Sequence, residues 1–134
     1  MLRRVLAIIT GFSAWTILWL GFHAIMTALV PDEFNADGST DSSAMLLAYL
    51  AASVVCSLIG GWTMALVNKC SESLMAWILG GVLLGVGLMV QLISWALFPI
   101  WYHIVFLLLL IPATFLGNSM VGAAKTPEEV TAGS

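Results

Sequence analysis

Charged side chains are scarce in this sequence. Only 8% of its 134 residues are Asp, Glu, Lys or Arg, whereas a soluble domain carries about 25%. Hydrophobic residues make up 61% of the chain, and the mean hydropathy is +1.07. A water-soluble fold of this size needs more polar surface than such a composition supplies. The sequence therefore predicts an integral membrane protein with the lipid bilayer as its partner, and the lack of a basic patch excludes nucleic acid.

Catalytic motifs are also missing. The sequence has no HExxH, CxxC, GxSxG or P-loop motif and no carboxylate pair. Its two histidines, His23 and His103, have no carboxylate or thiolate at ligand spacing, so we expect no metal site. Cys56 and Cys70 would lie about 21 Å apart along one helix, which is too far for a disulfide bond. We predict a protein that is not an enzyme, with no catalytic residue and no cofactor.

Four apolar runs are long enough to span a bilayer, which takes about 20 helical residues. The predicted helices cover residues 5–30, 43–67, 74–98 and 100–121. Together they form a membrane domain of residues 1–122, and the polar residues 123–134 are predicted to be a short disordered tail. The fold class that follows is all-α, with four transmembrane helices.

Basic residues set the predicted orientation. Arg3, Arg4, Lys69 and Lys125 all fall on one side of a four-helix topology, and the loop at residues 31–42 on the other side has acids and no base. By the positive-inside rule both termini, including the tail, face the cytoplasm. The first run also resembles a signal peptide, but it is longer than the 7 to about 15 apolar residues of a cleaved one, so we treat it as the first helix.

A looser pattern extends over residues 3–122. It consists of an Arg-led first helix, an outer loop with proline and acids, the pair Gly60–Gly61, and the final run FPIWYHIVFLLLLIPATFLG. This pattern resembles a group of small bacterial four-helix membrane proteins of unknown function. The resemblance implies a place in the bacterial inner membrane and the same topology, and it implies no activity. The length is also similar to that of small multidrug-resistance transporters, but residues 5–30 lack the glutamate that is their hallmark.

The two halves of the sequence can be aligned. When Pro31 is placed on Pro99, LGFHAIMTALVP lies over LMVQLISWALFP, and His23 meets Gln91. At a second offset, GWTMALVNK lies over GNSMVGAAK, so that Gly61 meets Gly117. One interpretation is two copies of a helical hairpin, related by an axis normal to the membrane. The alternative is chance identity among residues that are common in any apolar helix.

Small residues on helix faces predict where helices pack, because close approach and hydrogen bonds hold helices together in lipid. The predicted packing glycines are Gly60, Gly61, Gly80, Gly81, Gly85 and Gly87. Gly81 and Gly85 form a GxxxG motif about 100° around the third helix from Gly80 and Gly87. For this second face we favour packing within the chain over packing with another subunit.

Three hydrogen-bonding side chains share one predicted depth. His23, Tyr49 and Gln91 each lie about 8 Å to the outer side of the membrane midplane, and unsatisfied polar groups are costly there. One interpretation is a buried hydrogen-bond cluster that fixes helix register. The other is a small polar site open to the outer side, where His23 can take a proton.

The leading functional hypothesis is a non-enzymatic membrane protein, either a homo-oligomer or an accessory subunit of a larger membrane complex. The alternative is a small-solute transporter or pore that uses the polar layer in the outer half of the membrane. The interior without titratable acids and the two glycine faces of the third helix motivate the first hypothesis.

Overall fold

The computed structural model of the chain describes residues 1–36, 39–40, 42–69 and 72–124. These residues are almost entirely helical, and none of them lies in a strand. The helices are α1 Leu2–Leu29, α2 Ser43–Asn68, α3 Ser73–Ile93 and α4 Ile100–Ala124. Each one contains a stretch long and apolar enough to cross a membrane. The fold is therefore all-α with four helices, which is the architecture of a multi-pass membrane protein.

The helix ends follow local sequence signals. The Ser42 hydroxyl caps the start of α2 by accepting a hydrogen bond from the backbone N–H of Met45 at 3.4 Å. At the other end of α2, Lys69 adopts the left-handed conformation with φ 65°, which is a common way for a helix to terminate.

The third helix ends at Ile93, short of the predicted end at residue 98. Pro99 disfavours helical backbone in the residue before it. Phe98 is accordingly extended, and Trp95–Leu97 form a single 3₁₀ turn between the two helices. The fourth helix is longer than predicted and takes in Ala123 and Ala124, the first residues of the expected tail. The rest of that tail, like Cys70, lies outside the described residues.

α2 and α4 form the centre of the bundle. They pack against each other, α1 packs against α2, α3 packs against α4, and α1 and α3 touch only lightly. We call the end of the bundle where α1 and α3 begin the N-terminal end. The most completely buried large side chains are Met64, Met75, Leu79, Leu83, Phe106 and Leu110.

The contact between α2 and α4 is twofold symmetric at two glycines. A Cβ atom on Gly61 would meet the carbonyl oxygen of Thr114, and one on Gly117 would meet the carbonyl oxygen of Leu58. The alignment that places Gly61 on Gly117 also places Leu58 on Thr114. The two contacts are thus exchanged by a twofold axis, as in an interface between identical partners. This symmetry supports the interpretation of the chain as two helical hairpins.

Glycines also set the other helix contacts. A Cβ on Gly11 would lie 2.7 Å from the carbonyl oxygen of Gly60, so these two residues bring α1 and α2 together. Between α3 and α4, a Cβ on Gly87 would lie 2.8 Å from Leu110, and one on Gly80 would lie 3.5 Å from Ile111. Gly60, Gly61, Gly80 and Gly87 therefore lie at contacts between helices, as expected. Gly11 and Gly117 lie at such contacts too and were not predicted.

Gly81 and Gly85 do not pack against any other described helix. No heavy atom of another described helix comes within 4 Å of a Cβ built at either position, and both residues are exposed. The expectation that this GxxxG motif packs within the chain is wrong. A glycine pattern shows which residues share a face, but the partner of that face depends on how α3 is rotated against α4.

Glu72 joins the helices at the N-terminal end. Its carboxylate forms an ion pair with Arg4 of α1 at 3.0 Å and accepts a hydrogen bond from the Asn68 side chain of α2 at 3.1 Å. Its backbone carbonyl accepts from the side chain of Asn118 of α4 at 3.3 Å. Because Glu72 immediately precedes α3, these contacts join the start of α3 to α1, α2 and α4.

Candidate functional site

A cleft of about 350 Å³ lies between α1 and α3 in the half of the bundle away from the N-terminal end. Nearer that end the two helices meet, and a Cβ on Gly11 would lie 3.0 Å from Leu79. Beyond this contact α1 and α3 form opposite walls, while Tyr49, Tyr102 and Phe106 of the central helices form the back.

The cleft opens sideways between α1 and α3. Leu20 and Val90 line it from α1 and α3 and are 60% and 40% exposed. In a membrane, this gap between the two helices faces the lipid. A molecule dissolved in the bilayer therefore has a direct path to the cleft.

All three residues of the predicted polar layer line this cleft. The Nδ1 atom of His23 and the hydroxyl of Tyr49 are hydrogen-bonded at 2.9 Å, and His23 is otherwise exposed. Gln91 is 3% exposed, and its side chain contacts His103 on α4. The layer is therefore two hydrogen-bonded pairs on opposite walls of one cleft.

His103 holds Gln91 in place. Its Nε2–H donates to the carbonyl oxygen of Trp95 at 3.2 Å, and its ring stacks on the Trp95 indole with the ring centres 4.6 Å apart. Its Nδ1 atom lies against the side-chain Oε1 of Gln91. The imidazole is fully buried, so its orientation is fixed by the stacking and the two polar contacts.

The protonation state of His103 determines which atom of the Gln91 amide faces the cleft. A neutral ring whose Nε2 donates has an acceptor at Nδ1, so the Gln91 amide must then turn its NH₂ group to Nδ1 and its oxygen to the cleft. A protonated ring donates to Oε1, and the NH₂ group remains for the cleft. In both states one atom of the amide is held, and the other has no hydrogen bond among the described residues.

The contact between Gln91 and His103 could not be predicted from the sequence, because the third helix was predicted to end at residue 98 and it ends at Ile93. A helix running to residue 98 places Gln91 two turns from its end, deeper than His103. With α3 ending at Ile93, both residues lie within about one turn of the short connection. The signal that was available is Pro99, which keeps Phe98 out of the helix.

Aromatic rings make the walls of the cleft rigid. Trp19 stacks on Trp15 with ring centres 6.0 Å apart and makes edge contacts with Tyr49 at 5.7 Å and Phe106 at 5.3 Å. Trp15 is in turn fixed by its indole N–H, which donates to the Ser57 hydroxyl at 3.1 Å. These contacts link α1, α2 and α4 behind the cleft and restrain the rings that face it.

The chemistry of the cleft is uncharged. None of the described residues that line it is Asp, Glu, Lys or Arg. Its polar groups are hydroxyl, amide and imidazole groups, and the rest of its surface is aromatic or aliphatic. Such a surface recognises shape, stacking and a few hydrogen bonds.

No protein-family model, curated protein or solved structure matches the chain.

Proposed function

We propose that this is a non-enzymatic integral membrane protein that binds a small, mostly apolar molecule in the cleft between α1 and α3. The observation that carries the proposal is an aromatic cleft with one anchored polar pair on each wall. Its volume of about 350 Å³ falls in the range of about 300–1,000 Å³ that small-molecule sites occupy. Entry from the lipid suits a molecule that dissolves in the bilayer.

A pore through the bundle has less support. Toward the N-terminal end, the space between the helices is filled by Met64, Met75 and Leu79, each at most 2% exposed. The cleft therefore reaches only part of the way along the bundle. The transporter alternative requires a rearrangement that opens this packing, whereas binding requires none.

A matched pair of valines on α3 tests the binding proposal. Val90 lines the cleft and Val82 does not, although they are 40% and 39% exposed. We expect Val90→Trp to fill the cleft and lower the amount of co-purifying small molecule at least tenfold, while Val82→Trp leaves it unchanged. The measurement is mass spectrometry of an organic extract of the purified protein, normalised to protein.

Two results would count against binding in the cleft. One is an equal content of small molecules in the wild type and both variants. The other is an equal loss in Val82→Trp and Val90→Trp, which would indicate a general effect of a bulky indole on α3.

Self-association is the second candidate function, and the open face of α3 favours it. Glycines that meet no other described helix allow another helix to approach closely in lipid. We propose that the face containing Gly81 and Gly85 contacts a second copy or another membrane subunit.

The test of this face is co-purification of two differently tagged copies. Gly85→Leu should reduce their association. Gly21→Leu is the matched control, because Gly21 also has no neighbour within 4 Å among the described residues. It should leave the association unchanged, since Gly21 lies on α1 and outside the Gly81–Gly85 face. Equal association of both variants and the wild type would contradict a role for the Gly81–Gly85 face in pairing copies of this chain.

We further propose that both termini lie in the cytoplasm of a bacterium and that the four helices cross its inner membrane. Arg3, Arg4 and Lys69 lie at the N-terminal end of the bundle, and Asp32 and Glu33 lie in the connection at the opposite end. The positive-inside rule then places the cleft in the outer half of the membrane.

A further inference from the structure

We infer that the molecule bound in the cleft is a lipid-soluble quinone. A quinone is an uncharged planar ring with oxygen atoms on opposite edges and an apolar chain. This inference rests on the proposed binding function and names the class of its ligand.

The lack of charged side chains among the described residues of the cleft excludes ionic membrane components as its ligand. A phospholipid head group or a cationic drug would bring a charge into a site where no lining residue is Asp, Glu, Lys or Arg. An unpaired charge in a low-dielectric site is costly, so such a ligand would stay at the membrane surface. The ligand is therefore neutral and reaches the cleft through the lipid.

The walls of the cleft favour a flat ring. Trp19, Phe98, Tyr102 and Phe106 line it, and each is restrained by contact with another aromatic ring. Aromatic rings bind other rings in offset-stacked or edge-to-face geometry, and this gives a planar ligand an advantage over a branched aliphatic one.

The polar groups are divided between the two walls. His23 on α1 has Nδ1 paired with Tyr49, which leaves its Nε2 atom for a ligand. Gln91 on α3 is held by His103 through one atom of its amide, which leaves the other atom for a ligand. A ligand with a single hydroxyl would use one wall only. A ring with oxygen atoms on opposite edges can use both.

The anchored partners make these contacts specific. Tyr49 fixes the His23 ring and His103 fixes the Gln91 amide, so little side-chain entropy is lost when a ligand binds. The His23 Nε2 atom donates or accepts according to its tautomer, whereas Gln91 turns its NH₂ group to a quinone carbonyl when His103 is protonated and its oxygen to a hydroxyl group of the reduced form when His103 is neutral. The same two residues therefore suit the carbonyl oxygens of a quinone and the hydroxyl groups of its reduced form.

The test uses the full chain in phosphatidylcholine nanodiscs and two probes with the same tail. One probe is a benzoquinone carrying a decyl chain, and the other is decylbenzene, which has a ring and chain but no oxygen. We expect saturable binding of one quinone per chain, with an affinity at least tenfold higher than that of decylbenzene. His23→Leu and Gln91→Leu should each weaken quinone binding about three- to tenfold and leave decylbenzene binding unchanged.

Equal affinity for both probes, unaffected by either variant, would overturn the quinone assignment. The broader binding proposal would then still be decided by the Val90 and Val82 variants. If Gln91→Leu does not fold because His103 loses its partner, His23→Leu decides the outcome, since His23 is exposed and its loss leaves the core intact.

Discussion

At the scale of single residues, Gly61 and Gly117 have the least room for any side chain. A methyl group on either would meet a backbone carbonyl of the other central helix, and the helix cannot yield locally. Gly81 and Gly85 on α3 present the opposite case, because no atom of another described helix lies near them. The same substitution should therefore have opposite effects at the two pairs.

We predict that Gly61→Ala and Gly117→Ala each lower the free energy of unfolding by about 2 kcal/mol, as overpacking does. Gly81→Ala and Gly85→Ala should leave it unchanged or raise it by up to about 1 kcal/mol, because alanine favours the helix. Reversible unfolding in mixed micelles measures all four. If the two pairs prove equally tolerant, the symmetric contact between α2 and α4 is incorrect.

Two buried serines on α2 give a second comparison. The Ser57 hydroxyl accepts from the Trp15 indole at 3.1 Å, whereas the Ser53 hydroxyl donates to the carbonyl oxygen of Leu50 in its own helix. Ser57→Ala should cost about 1–3 kcal/mol, since it leaves a buried N–H unpaired, and Ser53→Ala should cost less than about 1 kcal/mol. The same unfolding assay would contradict this account of α1 packing if Ser53→Ala were the more costly change.

Several of these residues could be predicted from the sequence and several could not. Gly60 could be predicted because the helical period places it on the same face as Tyr49. Gly80 and Gly87 could be predicted because they share a face with Gln91.

Gly11 was missed because the helical period places it on a different face of α1 from Thr16, His23 and Thr27. Gly85 was assigned the wrong partner because helical periodicity does not give the rotation of α3 against its neighbours.

At the scale of the helices, Glu72 and the cleft lie at opposite ends of the gap between α1 and α3. At the N-terminal end, Arg4 and Glu72 hold the two helices together with an ion pair at 3.0 Å. Toward the other end, the gap contains the cleft. The distance between α1 and α3 was not predictable, because nothing in the sequence distinguishes Glu72, which joins them, from the other acidic residues in the loops.

The contacts of Glu72 predict unequal effects of removing its partners. Arg4 is 52% exposed, so Arg4→Ala should cost less than about 1 kcal/mol and less still in high salt. Glu72→Ala should cost about 1–2 kcal/mol, because the Asn68 hydrogen bond is lost as well. Unfolding at low and high ionic strength measures both, and an Arg4→Ala effect that exceeded that of Glu72→Ala would contradict this description.

At the scale of the whole molecule, the four-helix fold was predictable and the cleft was not. Lipid leaves backbone groups no partner except within a helix, so four long apolar runs lead directly to four helices. The cleft depends on how far α1 stands from α3, and that distance comes from contacts such as Gly11 with Gly60. The sequence predicts that His23, Tyr49 and Gln91 share one depth, but it does not predict that His23 and Gln91 lie on opposite walls of a cleft.

The orientation of the molecule is a separate prediction. With Arg3, Arg4 and Lys69 at one end of the bundle, we expect both termini in the cytoplasm. Fusion of a reporter active only in the cytoplasm to either terminus should give activity, and fusion into the loop at residues 31–42 should give none. Activity in the loop fusion alone would reverse the orientation and move the cleft to the inner half of the membrane.

The decisive experiment on quinone binding is a crystal structure of the protein grown from a lipidic mesophase with the decyl benzoquinone present. We expect density for a planar ring between the α1 and α3 walls, with its oxygen atoms near His23 and Gln91. A cleft closed by direct packing of α1 on α3, or one filled only by acyl chains, would contradict it.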